Sequence, residues 1–157
     1  MRRTDIIQKF INKINAKSYL EIGIGSGDNW RGIACEKKIS VEPIPNSGGI
    51  THVMTSDDFF KQNTETFDII FIDGLHWSEQ VYKDIINSLD VLNDKGVIVC
   101  HDMYPPDEGH QIYPQPFTQS NWTGDCWKAW VKLKSERDNL YMSVVDTDYG
   151  CGIINSC

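Results

Sequence analysis

Four polar residues in this sequence stand where apolar runs end: Asp73, His76, His101 and Asp102. Two carboxylates and two imidazoles, brought together, can hold a divalent cation or move a proton. The runs before them, Phe67-Asp68-Ile69-Ile70-Phe71-Ile72 and Val97-Ile98-Val99-Cys100, fit strands buried on both faces. Neighbouring strands lie about 4.8 Å apart, so their polar ends would converge. One reading places a cation such as magnesium on Asp73, His101 and Asp102, where it would chelate a substrate hydroxyl and lower its pKa. Without a cation, His76 or His101 becomes the general base beside Asp73. The competing reading is a set of polar strand ends that cap helices or pair with one another.

A second group has the chemistry of a ligand cradle. Tyr19-Leu20-Glu21-Ile22 runs into Gly23, Gly25 and Gly27, three glycines spaced two apart. Glycine permits positive φ and removes the Cβ that would keep a ligand from the backbone. A strand ending in such a turn is where α/β folds bind nucleotide-like ligands. The dinucleotide fingerprint G-x-G-x-x-G would need glycine at position 28, where this chain has Asp28. Glu42 follows at the end of the next strand, where an acid can accept hydrogen bonds from both hydroxyls of a ribose. Ser56 and Asp57 come after a further short strand. They fit either an adenine edge or the start of a helix, where Ser and Asp are favoured in any case.

These residues need a frame, and the 157-residue chain has the length of one domain, 1–157. A stripe of Ile6, Ile7, Phe10, Ile11 and Ile14 after Thr4 predicts an amphipathic helix. Strands are expected over 19–24, 39–42, 51–55, 67–73 and 97–102, with a short helix near 29–36 and another over 56–63. Ser78 opens a helix faced by Val81, Ile85, Leu89 and Leu92, and Gly96 offers a left-handed residue after it. Asn46 to Gly49 reads as a turn. Residues 103–124 hold four of the six prolines among aromatic residues, a long irregular segment suited to a wall or lid. A helix carrying Trp127 and Trp130 follows, then a hairpin over 140–145 and 152–155. Alternating strands and helices with a terminal hairpin define a doubly wound α/β sheet whose strand ends meet at one edge.

Composition removes several function classes. Fifteen basic against 22 acidic residues give a net charge of -7, which argues against sequence-independent nucleic-acid binding and anionic membranes. No apolar run approaches bilayer length. The N-terminal stretch lacks the continuous apolar centre of a signal peptide. Five scattered cysteines without a C-x-x-C pair read as free thiols in a reducing cytoplasm.

Taken together, Glu21-x-Gly23-x-Gly25-x-Gly27, Phe71-Ile72-Asp73-Gly74-Leu75-His76 and His101-Asp102 resemble the class I S-adenosylmethionine (SAM)-dependent methyltransferases, in particular the methyltransferase 24 type. The resemblance implies a Rossmann-like, mostly parallel seven-stranded sheet with an antiparallel last strand, SAM as donor, and O-methylation of a small molecule or sugar. Glu21, Gly23, Gly25, Gly27, Glu42, Ser56, Asp57 and Asp73 would then form the cofactor site, and Asp73 and Asp102 would match metal positions. Many metal-dependent relatives carry an acid where this chain has His101. Two other readings compete: a SAM- or adenosine-binding domain without catalysis, and a nicotinamide-dependent oxidoreductase. The expected partner is the acceptor molecule, with association into a homo-oligomer as a further option.

Overall fold

Strand-forming runs and helical stripes alternate along the chain, and all but the run over 51–55 become elements in the computed structural model, which describes residues 1–45, 48–117 and 121–156. The elements are α1 (Arg3–Ile14), β1 (Ser18–Ile22), α2 (Asp28–Gly32), β2 (Lys37–Val41), α3 (Ser56–Gln62), β3 (Phe67–Ile72), α4 (Ser78–Asp90), β4 (Leu92–Cys100), α5 (Trp127–Glu136), β5 (Leu140–Val145) and β6 (Cys151–Ser156). The strands form one sheet in the order β2-β1-β3-β4-β6-β5. β1 to β4 are parallel. β6 runs antiparallel to both of its neighbours. The expected turn at Asn46 and Ser47 lies outside the described residues, as do 118–120 of the expected lid.

Side-chain alternation along the strands decides which face each group serves. Tyr19, Ile69, Phe71, Val97, Val99 and Ile153 point to one face and pack under Ile6, Ile7 and Ile11 of α1. Each such side chain contributes about 1.5–3 kcal/mol when fully buried. Leu20, Ile70, Ile72, Ile98 and Cys100 point to the other face, against Val81, Ile85, Trp130 and Leu133 of α4 and α5. The same parity sends Glu21, Asp73 and His101 toward α1. Residues 15–17 connect α1 to β1, with Asn15 left-handed at φ 55. A connection this short makes the helix run back along the strand, so the N-terminus of α1 lies at the strands' carboxyl edge.

Three local expectations are corrected. The strand expected over 51–55 is a single bridge between Val41 and His52, so the described sheet has six strands rather than seven. At this bridge His52 N donates to Ser40 O at 3.0 Å, and the Thr51 hydroxyl beside it accepts from Ser40 N and donates to Ser40 O, both at 2.9 Å, so a side chain serves the Ser40 N–H. Residues 93–96 belong to β4 rather than to a helix end, and Lys95, not Gly96, adopts positive φ. Finally, Ser78 does not cap α4 from outside. It is the first helical residue, and its N and Oγ both donate to Asp125, at 2.7 and 3.0 Å.

Candidate active site

The glycine turn sits where β1 leaves the sheet. Gly23 N donates to Val41 O, and Asp73 N donates to Ile22 O, both at 2.8 Å, so the turn is tied to the strands on either side. Gly23 has φ 80, and a Cβ there would overlap the Asp73 carbonyl and the Gly74 Cα. Gly25 differs. It has φ 47, and a Cβ there would meet nothing within 4 Å, so its missing side chain leaves open space over the backbone. Gly27 is left-handed as well and precedes α2.

The acids of this turn have separate duties. Glu42 lies beside the glycines, its Oε2 accepting from Ile24 N at 3.2 Å and Gly25 N at 3.4 Å. Glu21 is buried and accepts from the Tyr19 hydroxyl at 2.7 Å. Tyr19 in turn accepts from Asn29, and Asn29 from Thr4, so Glu21 anchors a chain of bonds joining β1, α2 and α1.

Burial raises the Glu21 carboxyl from 4.5 to about 7. Its contribution to stability is therefore full below its unfolded value and is lost as pH rises through about 7. Glu21→Gln keeps an acceptor for Tyr19 and cannot ionise. Between about pH 4 and 8, wild type is expected to lose on the order of 3 kcal/mol relative to Glu21→Gln. Urea unfolding of both proteins across that range measures it, and parallel curves would contradict the assignment.

Ser56 and Asp57 begin α3 on the far wall of a cleft of about 1120 Å³ that opens over the glycine turn. Ligand pockets commonly span about 300–1,000 Å³, so this one has room for a nucleoside and a second molecule. Gln80 of α4 holds the wall, donating to Ser56 Oγ at 3.2 Å, Asp57 Oδ1 at 2.9 Å and Asp84 Oδ1 at 3.1 Å.

At the other end of the cleft the polar strand ends meet. His76 Nε2 lies 3.4 Å from Asp73 Oδ1 and 3.2 Å from Asp102 Oδ2. Its Nδ1 is 3.0 Å from the Trp122 carbonyl, which can only accept, so Nδ1 carries a proton. Burial pulls His76 down, yet the two carboxylates outweigh it and hold it above its ordinary value. His101 sits deeper. Its Nδ1 lies 3.0 Å from Asp102 Oδ1 and 3.3 Å from Asp73 Oδ1, and its Nε2 lies 3.4 Å from Asp148 Oδ1. Burial disfavours its charge, but the acids around it, Asp73 first, push it up to about 12. Burial would raise Asp73; the positive charge of His101 and the neighbouring donors hold it well below the usual range. Asp102 is raised, chiefly by burial. It adopts φ 61, a left-handed turn that swings the chain off the end of β4.

Ligand atoms of Asp73, His76 and Asp102 lie within 4.8 Å of one another. Two carboxylates and an imidazole whose Nδ1–H is donated to a carbonyl make a donor set that fits a divalent cation. His101, named with Asp73 and Asp102 in the sequence reading, is not in this converging set. Its ring nitrogens already face carboxylates on both sides.

Aromatic side chains wall this end. Trp122 lies 5.1 Å from the His76 ring, Tyr113 stacks on Trp122 at 6.1 Å, and Trp77 stacks on Tyr113 at 5.7 Å.

Two further residues were not identified from the sequence. Arg3 Nη1 donates to Asp73 Oδ2 at 2.8 Å, and Asp148 accepts from Arg3 N at 2.9 Å. The pairs are 70 and 145 residues apart in sequence. A signal for Arg3 existed: a helix that runs straight back from β1 must start at the strands' carboxyl edge. Asp148, in a surface hairpin turn, offered none.

With this geometry in view, comparisons with known proteins fall into place. The family model described as a methyltransferase domain, of the methyltransferase 24 type, matches residues 26–103. A search of the curated proteins returns no match. Among solved structures, the S-adenosylhomocysteine (SAH)-bound methyltransferase of Podospora anserina aligns with a TM-score of 0.71 at 16% identity, over 99% of this chain and 78% of that one. The O-methyltransferase of Bacillus cereus in complex with SAH gives 0.69 at 15% identity, over 97% and 79%. The SAM-bound Streptomyces achromogenes O-methyltransferase involved in tomaymycin synthesis gives 0.71 at 13% identity, over 98% and 79%. The chain has the α/β, Rossmann-like fold of the class I SAM-dependent methyltransferases. Over residues 26–103 it is similar in sequence to their methyltransferase-domain family, as its glycine turn and polar strand ends predicted.

Proposed function

We propose that the chain, as one domain over 1–157, is a SAM-dependent methyltransferase that methylates a hydroxyl of a small molecule or sugar. The observation that carries this reading is the open space over Gly25 beside Glu42, at the mouth of a cleft that continues to Asp73, His76 and Asp102. Gly23, Gly25 and Gly27 let the cofactor approach the backbone, with Glu21 fixing the strand beneath. Glu42 accepts from its ribose, and Ser56 with Asp57 faces its base. SAM when bound supplies an electrophilic methyl group. The protein's work is to position the acceptor oxygen and remove its proton. His101, whose ring nitrogens face Asp73, Asp102 and Asp148, orients these acids rather than serving as the base.

The point between Asp73, His76 and Asp102 takes a divalent cation such as magnesium or manganese. Bound there, the ion would supply Lewis acidity to the acceptor oxygen. Chelation is expected to lower methyl transfer at least about 10-fold, and Asp102→Ala about 10²–10⁴-fold. Transfer of radiolabelled methyl from SAM to a panel of hydroxylated acceptors is the assay. Turnover that survives both treatments would show that no ion is used and would assign the base to His76 Nε2. The reaction fits a cytoplasmic setting, since Cys35, Cys100, Cys126 and Cys151 are free thiols. No helix among the described residues is long and apolar enough to cross a membrane.

A further inference from the structure

We infer that Arg3 is a built-in cation that sets how tightly the Asp73, His76 and Asp102 cluster holds a divalent ion. The inference rests on the metal part of the function proposed above.

Asp73 is shared between two sides. Its Oδ1 lies 3.4 Å from His76 Nε2, in the group whose ligand atoms converge, and 3.3 Å from His101 Nδ1. Its Oδ2 accepts from Arg3 Nη1 at 2.8 Å. The same nitrogen lies 2.9 and 3.0 Å from the two ring nitrogens of His101. An ion coordinated at Oδ1 therefore meets a carboxylate whose other oxygen is already paired with a full positive charge.

Arg3 is fixed in this position rather than resting there. Its Nε lies 3.5 Å from Asp148 Oδ2, and its backbone N donates to the same oxygen at 2.9 Å. One residue earlier, in the same hairpin turn, Thr147 Oγ1 donates to Met1 O at 2.6 Å. The start of α1 is thus clasped to the β5–β6 turn, and the clasp aims the guanidinium at Asp73. Arg3 is a positioning residue: it acts on the ion through Asp73 and does not reach the converging point.

The charge count supports the same conclusion. Three acids gather here, Asp73, Asp102 and Asp148, against Arg3 and two imidazoles. Without Arg3 the acids regain one unit of uncompensated negative charge beside the ion. A unit charge a few ångström from a divalent ion changes its affinity by about 10- to 100-fold in a partly solvated site.

Manganese is the probe, with free Mn²⁺ followed by its electron paramagnetic resonance signal. Wild type, Arg3→Gln and Arg3→Lys are titrated, each with and without Asp102→Ala. Arg3→Gln is expected to bind Mn²⁺ about 10- to 100-fold more tightly than wild type. Arg3→Lys, which keeps the charge, is expected to stay closer to wild type, and Asp102→Ala to remove binding from all three. Arg3→Met keeps the stem's packing and carries the same expectation as Arg3→Gln, should the latter fail to fold. Equal affinity in wild type and Arg3→Gln, both lost with Asp102→Ala, would overturn the role of Arg3 and leave the ion site standing. Binding that ignores Asp102→Ala, or no binding in any variant, would overturn the ion site and the role of Arg3 with it.

Discussion

Asp73→Ala is expected to destabilise the protein by about 3–5 kcal/mol and to remove methyl transfer. Asp73 is one-fifth exposed and stands among three basic partners: Arg3 at 2.8 Å, His101 at 3.3 Å and His76 at 3.4 Å. Truncation leaves the Arg3 guanidinium and the two imidazoles without the carboxylate they share in a largely buried site. Breaking a buried pair from one side costs about that much, because the remaining charge is neither solvated nor matched. The loss is expected to shrink on the alkaline side. His101 favours the folded state fully below its unfolded value, and that contribution is lost as pH rises through about 12. Urea unfolding at neutral pH measures the change. A difference within about 0.5 kcal/mol, the size of a neutral surface substitution, would mean that Asp73 does not organise this cluster.

The second large effect is expected from Trp122→Ala. The indole lies tilted against the His76 ring at 5.1 Å and stacks on Tyr113 at 6.1 Å, and its Nε1 donates to Ile112 O at 2.5 Å. Its backbone carbonyl, which fixes His76 Nδ1, survives the substitution. The variant therefore keeps the His76 orientation while opening the wall beside it. Misplacing an acceptor by about 1 Å costs on the order of 10²-fold in rate, and kcat/KM for the acceptor should fall by about that factor. SAH affinity should hold, because the proposed cofactor contacts lie at the ends of β1 and β2 and the start of α3. Unchanged turnover would place the acceptor elsewhere, with the turn bearing Tyr149 as the next candidate.

Much of this site was legible because period-two alternation and polar strand ends are local signals. The runs before Asp73 and His101 are apolar on both faces, and so they declare central parallel strands. The glycine turn was equally plain, since backbone crowding at Gly23 and positive φ at Gly23 and Gly25 both favour glycine. Contacts between distant segments were less accessible. His76 reaches across to Asp102 only because the Trp122 carbonyl, 46 residues later, orients its ring. Spacing alone made His101 the more natural partner of Asp102. The expected strand over 51–55 came down to one bridge at His52, flanked by a threonine hydroxyl that bonds Ser40 N and O, a detail that strand propensity does not carry. Asp148 gave no pattern, because its role depends on where α1 begins rather than on its neighbours in the chain.

The central claim is that this cleft binds SAM through the glycine turn. Calorimetric titration of SAM and SAH into wild type and Gly25→Val tests it most directly. A valine at position 25 would place a branched side chain in the open space over the backbone, at a positive φ that β-branched residues avoid. Wild type is expected to bind both ligands at one site in the micromolar range, and Gly25→Val to give no measurable heat while still unfolding cooperatively. No heat with wild type, or equal heats with both proteins, would contradict the account.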